Sequence, residues 1–278
     1  MKKINIEKRN ADGLTENEFL EKYNPGNYER PSVTVDMMVL RMKEKLDSLQ
    51  ILLIQRKNHP DIDCWALPGG FINIDESAHE AACRELEEET NLTDVYLEQL
   101  YTMSKPDRDP RMRIIDIAYI ALLPFNDEKR EKAGDDAKDA AWFDIQFTDE
   151  RMMFANKERD IVLEYRLDKK EFLNGILKIP NFIPIQASDD ALAFDHAEII
   201  LEGLMRLRNK VLYSDIAFNL VPEEFTLPDL QRVFEIILGK DLYKTNFRKK
   251  IADKIEFLKR KDDSIIGNKK SELYKYKG

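Results

Sequence analysis

Residues Gly70–Leu92 read GFINIDESAHEAACRELEEETNL, and the placing of four carboxylates within them, Glu76, Glu85, Glu88 and Glu89, governs the rest of the reading. Ser77 followed three residues later by Glu80 is a capping-box pattern, which predicts a helix that starts there and runs to about Thr90. Asn91 then falls where a helix commonly ends in a left-handed residue, a conformation its short amide tolerates. On such a helix Glu85, Glu88 and Glu89 stand at i, i+3 and i+4 and share one face. Ala78, Ala81, Ala82 and Leu86 cover much of the other side, small enough to let the helix lie close against a sheet. Like charges on one helix face cost about 0.2–0.5 kcal/mol per pair. A positive partner is therefore expected among them. Hard divalent cations such as Mg²⁺ take carboxylate and phosphate oxygens, so three or four glutamates make half of a metal-phosphate site. Arg84 is placed to pair with Glu76 or another glutamate and hold the cluster in shape. The alternative is a solvated acidic face, which most charge runs are.

Taken whole, the pattern of Gly70, five residues, Glu76, seven residues and then Arg84-Glu85-Leu86-Glu87-Glu88-Glu89-Thr90-Asn91-Leu92 resembles the Nudix box. One position departs from it: Asn91 stands for the family's late glycine, an exchange the helix-end argument makes cheap. The resemblance implies an α/β fold, a Nudix α/β/α sandwich with a mixed sheet. It also implies that Gly69, through its backbone carbonyl, joins Glu85 and Glu89 as metal ligands, with Glu88 holding a further ion. The cofactor expected is Mg²⁺ or Mn²⁺, since carboxylates accept both.

Flanking segments agree. Ser32–Met42 (SVTVDMMVLRM) and Gln50–Arg56 (QILLIQR) are β-branched and apolar runs of strand type, and Trp65-Ala-Leu-Pro-Gly69-Gly70 enters the box as a loop. Lys105–Arg113 (KPDRDPRMR) gathers Arg108, Arg111 and Arg113 before a strand-like IIDIAYIALLP. Guanidinium forks recognise phosphate bidentately, so this loop is suited to a diphosphate; a turn with solvent-facing arginines is the other reading. The DRDPR segment looks like one found in Nudix proteins that act on or bind ADP-ribose. Arg56, Arg108, Arg111 and Gly70 are the expected substrate contacts, and Glu85, Glu88, Glu89 and Arg84 the catalytic set. The acids before Trp142, namely Asp135, Asp136 and Asp139, lie where Nudix enzymes sometimes carry a general base.

With 278 residues the chain suits two domains, and 43% hydrophobic with 35% charged residues describes a cored, soluble protein. No apolar run approaches the ~20 residues that span a bilayer, and the Met-Lys-Lys-Ile start lacks the apolar stretch of a signal peptide. No membrane partner is expected, and the expected compartment is the cytoplasm. Cys64 and Cys83 are too few for a disulfide scaffold, and Cys83 is expected to be a small buried thiol. His59, His79 and His196 have no metal-ligand spacing and read as structural or surface.

The net charge of −9 argues against nucleic acid, yet from Asp241 onward bases outnumber acids about two to one. In that tail Thr226 is a natural N-cap, Pro228 fits a first turn and Gly239 a helix end, with Leu227, Leu230, Val233, Phe234, Ile237 and Leu238 at helical spacing. Thr245–Lys254 predicts a second helix, and IEFLKRK and ELYKYK two strands around a polar turn at Gly267. Helix, helix and hairpin is the order of a winged helix-turn-helix. The segment FTLPDLQRVFEIILGKDLYKTNFRKKI is similar to the C-terminal domain of NrtR-type regulators, Nudix-derived transcription factors of NAD metabolism. That likeness extends from about Tyr28 to the end. It implies double-stranded DNA as a partner through Lys244, Arg248, Lys249 and Lys250, and a homodimer; packing or dimerisation alone is the other use of such a domain. The expected division is a Nudix domain over 1–213, with a strand-rich insertion at about 149–185, and a winged domain over 214–278.

Two functions follow. One is a Mg²⁺-dependent pyrophosphatase cleaving ADP-ribose to AMP and ribose 5-phosphate; the other is an ADP-ribose-sensing transcriptional regulator. Because every acid of the box is in place, hydrolysis is the main expectation.

Overall fold

The computed structural model describes residues 8–124, 137–266 and 270–278. The chain forms two compact units, Met1–Pro31 and Ser32–Gly278. In the first, a short helix α1 (Glu16–Lys22) is opened by a capping box between Thr15 and Glu18, and none of its residues is buried.

The second unit opens with the strands β1 (Ser32–Met42), β2 (Leu49–Arg56), β3 (Trp65–Ala66) and β4 (Gly69–Phe71), then α2 (Ala78–Thr90). It continues with β5 (Tyr96–Met103), β6 (Ile114–Leu123), β7 (Ala137–Phe147), β8 (Arg151–Asn156), β9 (Ile161–Asn174), β10 (Leu177–Gln186) and α3 (His196–Lys210). Its remaining elements are β11 (Glu224–Thr226), α4 (Leu227–Leu238), α5 (Lys244–Ile251), β12 (Ile255–Asp263) and β13 (Lys270–Tyr276).

The main sheet runs in the order β10-β9-β8-β7-β2-β1-β6-β5, with β3 on β2 and β4 on β1. The pairing of β1 with β6 is parallel and its other named pairings are antiparallel, which makes the sheet mixed. Central position explains the near-continuous apolar run of β1, because both of its faces are covered. Val35, Met37 and Val39 pack with Ala81, Ala82 and Leu86 of α2, while Met38, Leu40 and Met42 face the opposite side toward Ile200 and Leu204 of α3. Alternation along one strand thus feeds two helices, giving the α/β/α sandwich.

The helix predicted in the box is as expected in start, end and face: Ser77 and Glu80 form the reciprocal capping box, and Asn91 caps the end at φ 58°. Cys83 departs from expectation. It is exposed, because Ala82 and Leu86 define the buried stripe and position 83 falls outside it. Strands β8, β9 and β10, over the expected strand-rich insertion, extend the main sheet.

At the C-terminal end Thr226 accepts the Asp229 N–H, Pro228 sits in the first turn of α4, and Gly239 closes it at φ 66°. With α5 and the sheet β11-β13-β12, this is a winged helix fold. Gly267 and Lys269 of the expected turn lie outside the described residues. One contiguous apolar cluster includes Met38, Leu46, Phe154 and Leu207 together with Leu230, Phe234, Ile237, Phe247 and Ile255. The winged part and the sandwich therefore share a core, and each large side chain fully buried there stabilises the joint by about 1.5–3 kcal/mol.

Candidate functional site

Strand β4 lies on β1 with Gly70 opposite Val35 and Gly69 opposite Asp36, and α2 crosses above it. Closeness demands glycine at 69, where the neighbour is backbone, and at 70 leaves no room for a Cβ unless the Glu85 side chain swings aside. A Cβ on Gly70 would lie 2.1 Å from a Glu85 carboxylate oxygen, and one on Gly69 would lie 2.2 Å from the Val35 carbonyl oxygen. The Gly69 N–H in turn donates to Glu89 at 2.7 Å, tying loop to helix.

Arg84 is the hub of the acidic cluster. It donates to both oxygens of Glu76 at 2.7 and 3.0 Å, to Glu85 at 2.7 Å, to Glu88 at 3.1 Å and to the Phe71 carbonyl at 3.1 Å. Those bonds raise the guanidinium pKa further and hold the Glu76 carboxyl down to about 2. Glu85 moves the other way: burial raises its pKa against the pull of Arg84. Glu89 is buried, whereas the Glu88 side chain is 60% exposed. Among the described residues no three His, Cys, Asp or Glu side chains converge on one point, since Arg84 stands among the glutamates. Chemically the set still suits a hard divalent cation: the carboxylates of Glu85, Glu88 and Glu89 and a peptide oxygen at Gly69 are all hard donors.

The arginine loop between β5 and β6 divides its three guanidinium groups among different tasks. Arg113 staples the loop, donating to the Ser104 and Lys105 carbonyls at 2.8 and 2.9 Å. Arg108 does not present a free fork to a ligand. Its side chain is only 4% exposed and is held bidentately by Asp195 at 2.6 and 2.9 Å, with Asp36 at 3.7 Å. Arg111 grips Asp109 at 2.8 and 3.0 Å but keeps 41% of its side chain open.

Arg111 and Arg56 lie against one aromatic ring. Phe194 lies 4.7 Å from the Arg56 guanidinium carbon and 5.7 Å from that of Arg111, and Phe71 lies 5.6 Å from Arg111. Burial first, and the charge of Arg111 second, disfavour the positive form of Arg56. Two cations held this close would gain from an anion between them. Phe194 sits in left-handed backbone at φ 49°, its N–H bonded to Asp61 at 2.9 Å. No local signal marked it, because it reaches the arginines from a distant part of the chain.

Beneath this face lies a buried polar layer that sequence reading missed. His196 accepts the Leu67 N–H on Nδ1 at 2.9 Å, burial lowers its pKa, and its Nε2 stands 3.6 Å from Asp36. Asp116 is fully buried, accepts from the Thr34 hydroxyl at 3.1 Å, and is pushed well above the usual carboxylate range by burial and by Asp36. Of the acids before Trp142, Asp139 is bonded by Arg159, which lowers its pKa and leaves it a poor base; Asp135 and Asp136 lie outside the described residues.

On α5, Lys244, Arg248 and Lys249 are exposed, and Arg248 lines a groove of about 590 Å³ with Lys261, Lys270 and Tyr274. Lys250 is exposed as well, and its ammonium also donates to the Val211 carbonyl at 3.4 Å and lies 5.3 Å from the Phe234 ring, contacts that desolvate it in part and lower its pKa.

Comparison with known proteins matches residues 30–164 to the NUDIX domain and residues 217–276 to the NrtR DNA-binding winged helix domain. An ADPR responsive transcriptional repressor, NtrR, of Acinetobacter baylyi is 30% identical over 264 residues, covering 94% of this chain and 88% of that protein. An ADP-ribose pyrophosphatase of Methanocaldococcus jannaschii is 40% identical over 138 residues, covering 50% of this chain and 75% of that protein. The crystal structure of Shewanella oneidensis NrtR complexed with a 27mer DNA is similar at TM-score 0.62 and 29% identity, over 88% of this chain and 93% of that one. A Nudix sandwich carrying the box and a winged helix built onto its core, in this order and at this coverage, place the chain in the NrtR-type family of Nudix proteins.

Proposed function

We propose that the protein is a transcriptional regulator that binds ADP-ribose in its Nudix part and double-stranded DNA through its winged part, acting as a homodimer on a palindromic operator. The observation that carries this is the likeness to the Acinetobacter repressor across both parts, with the two parts sharing one core. Sequence alone had favoured hydrolysis; the full-length relatives favour regulation. In this reading Arg56 and Arg111 take the diphosphate, with Phe71 and Phe194 beside them, and Arg108 holds the loop that carries Arg111. Lys244, Arg248 and Lys249 meet the DNA backbone and groove.

One observation supports a second, compatible reading, ADP-ribose hydrolysis: the acidic set is complete, and the half of the chain that carries it resembles a pyrophosphatase. Glu85, Glu88, Glu89 and the Gly69 carbonyl would hold a divalent cation such as Mg²⁺ or Mn²⁺. Bound there, it would offset diphosphate charge and acidify an attacking water. Arg84 would release some of the glutamates while keeping Glu76, and the paired arginines would orient the diphosphate.

The test uses the full chain. DNA selected from a random duplex pool should bind in the nanomolar range, ADP-ribose should change that affinity, and AMP release with Mg²⁺ reports hydrolysis. Failure to retain any sequence from the pool sinks the regulatory reading. AMP release that persists undiminished in Glu89→Gln sinks the assignment of the acidic site.

A further inference from the structure

We infer that α3 carries ligand state from the arginine–aromatic cluster to the winged helix, with Arg208 as the positioning residue at its far end. The inference rests on the regulatory reading above. At its head α3 begins beside the arginines: the Phe194 ring lies against both Arg56 and Arg111, Asp195 clamps Arg108, and His196 is bonded to the loop before β4. Asp195 occupies the N-cap position yet its side chain makes no cap hydrogen bond, the carboxylate being committed to Arg108. A shift in the arginine loop is therefore transmitted to the first turn of the helix.

The body of α3 leaves little room to absorb such a shift. Fifteen residues span roughly 22 Å. Midway, Gly203 is pressed so close that a Cβ there would lie 2.2 Å from the Met38 sulfur and 3.1 Å from Leu100. Tight packing of this kind moves as a block.

In its last turn Arg208 reaches both the sandwich and the winged domain. It donates to the Phe147 carbonyl at 3.0 Å and to the Ile237 carbonyl at 3.2 Å, while its guanidinium lies 4.1 Å from the Phe147 ring. Ile237 is in the last turn of α4, where carbonyls lack helical partners and the helix dipole favours a cation. Directly after α3, the Val211 carbonyl accepts from Lys250 of α5. One rod thus ends on both helices of the DNA-binding part. A second side-chain tie, Arg232 to the Leu46 carbonyl at 3.1 Å, joins α4 to the β1–β2 turn without passing through α3. It supplies the control.

The experiment measures DNA Kd with and without saturating ADP-ribose, and ADP-ribose Kd separately, for wild type, Arg208→Gln and Arg232→Gln. In wild type, ADP-ribose should change DNA Kd by about 5–150-fold. In Arg208→Gln that ratio should collapse to less than about twofold while both ligands still bind; in Arg232→Gln it should persist. Collapse in both variants, or in neither, overturns the role of α3. If Arg208→Gln does not fold, Arg208→Lys serves: it keeps charge and stem but replaces the planar guanidinium, whose Nε and Nη2 each meet one carbonyl, with a single nitrogen, and should show the same collapse. A ratio that survives in Arg208→Gln overturns the inference alone, whereas a wild type that binds no ADP-ribose, or binds it without effect on DNA affinity, overturns the functional reading beneath it.

Discussion

The acidic cluster and the arginine–aromatic cluster lie in the same sandwich but are built in opposite ways. Glu76, Arg84, Glu85, Glu88 and Glu89 come from one segment, and local rules of helix capping and periodicity place them. Arg56, Arg111, Phe71 and Phe194 arrive from four separate stretches and meet only because β2, β4, the loop before β6 and the start of α3 converge. A site written in one segment tolerates change elsewhere in the fold. An assembled site depends on whatever holds its pieces in register, and here that is Arg108 with Asp195.

The strongest way to break this contrast is Arg108→Ala. It leaves Asp195 buried without its partner, and removal of one member of a buried pair costs about 3–5 kcal/mol. Urea unfolding should show that loss, whereas Arg84→Ala, whose partners are partly wetted, should cost far less; equal losses would erase the distinction. Next in size, Arg56→Ala should weaken ADP-ribose binding by about 1.5–3 kcal/mol, the worth of a charge-assisted hydrogen bond, as read by calorimetry. Glu88→Gln should leave metal-free ADP-ribose affinity unchanged if the two sites are separable.

Smaller effects sharpen the same comparison in the winged part. Arg248→Ala should reduce the slope of log K against log salt for DNA by about one, as expected for one lost phosphate contact, and Lys250→Ala should leave the slope unaltered. The smallest effect is a pH dependence. Glu76 binds its proton near 4.5 when unfolded and at about 2 when folded, so the unfolded chain takes up the proton first. Its contribution is present above pH 4.5 and fades as pH falls toward 2. Urea midpoints of wild type and Glu76→Gln should therefore diverge at neutral pH and converge in acid.

What could be read from the sequence followed the same division. Capping by Ser77 and Thr226, the turn at Asn91 and the α2 face are properties of neighbouring residues, and each was legible. The winged order was legible because helix, helix and hairpin are contiguous. Phe194, Asp195, Asp36 and His196 were not, since their value comes from partners brought together by the sheet. Arg108 shows the converse: charge type suggested a ligand contact, and burial, which no local pattern displays, turned it inward. Cys83 failed for a simpler reason, a helix phase misjudged by one position.

The common apolar cluster that contains Leu207, Phe234 and Phe247 has a practical consequence for dissection of the protein. A cut after Tyr213 would strand greasy surface on each fragment. Neither half should be soluble alone, so the DNA reader of this chain is not a cassette that can be lifted out and grafted elsewhere.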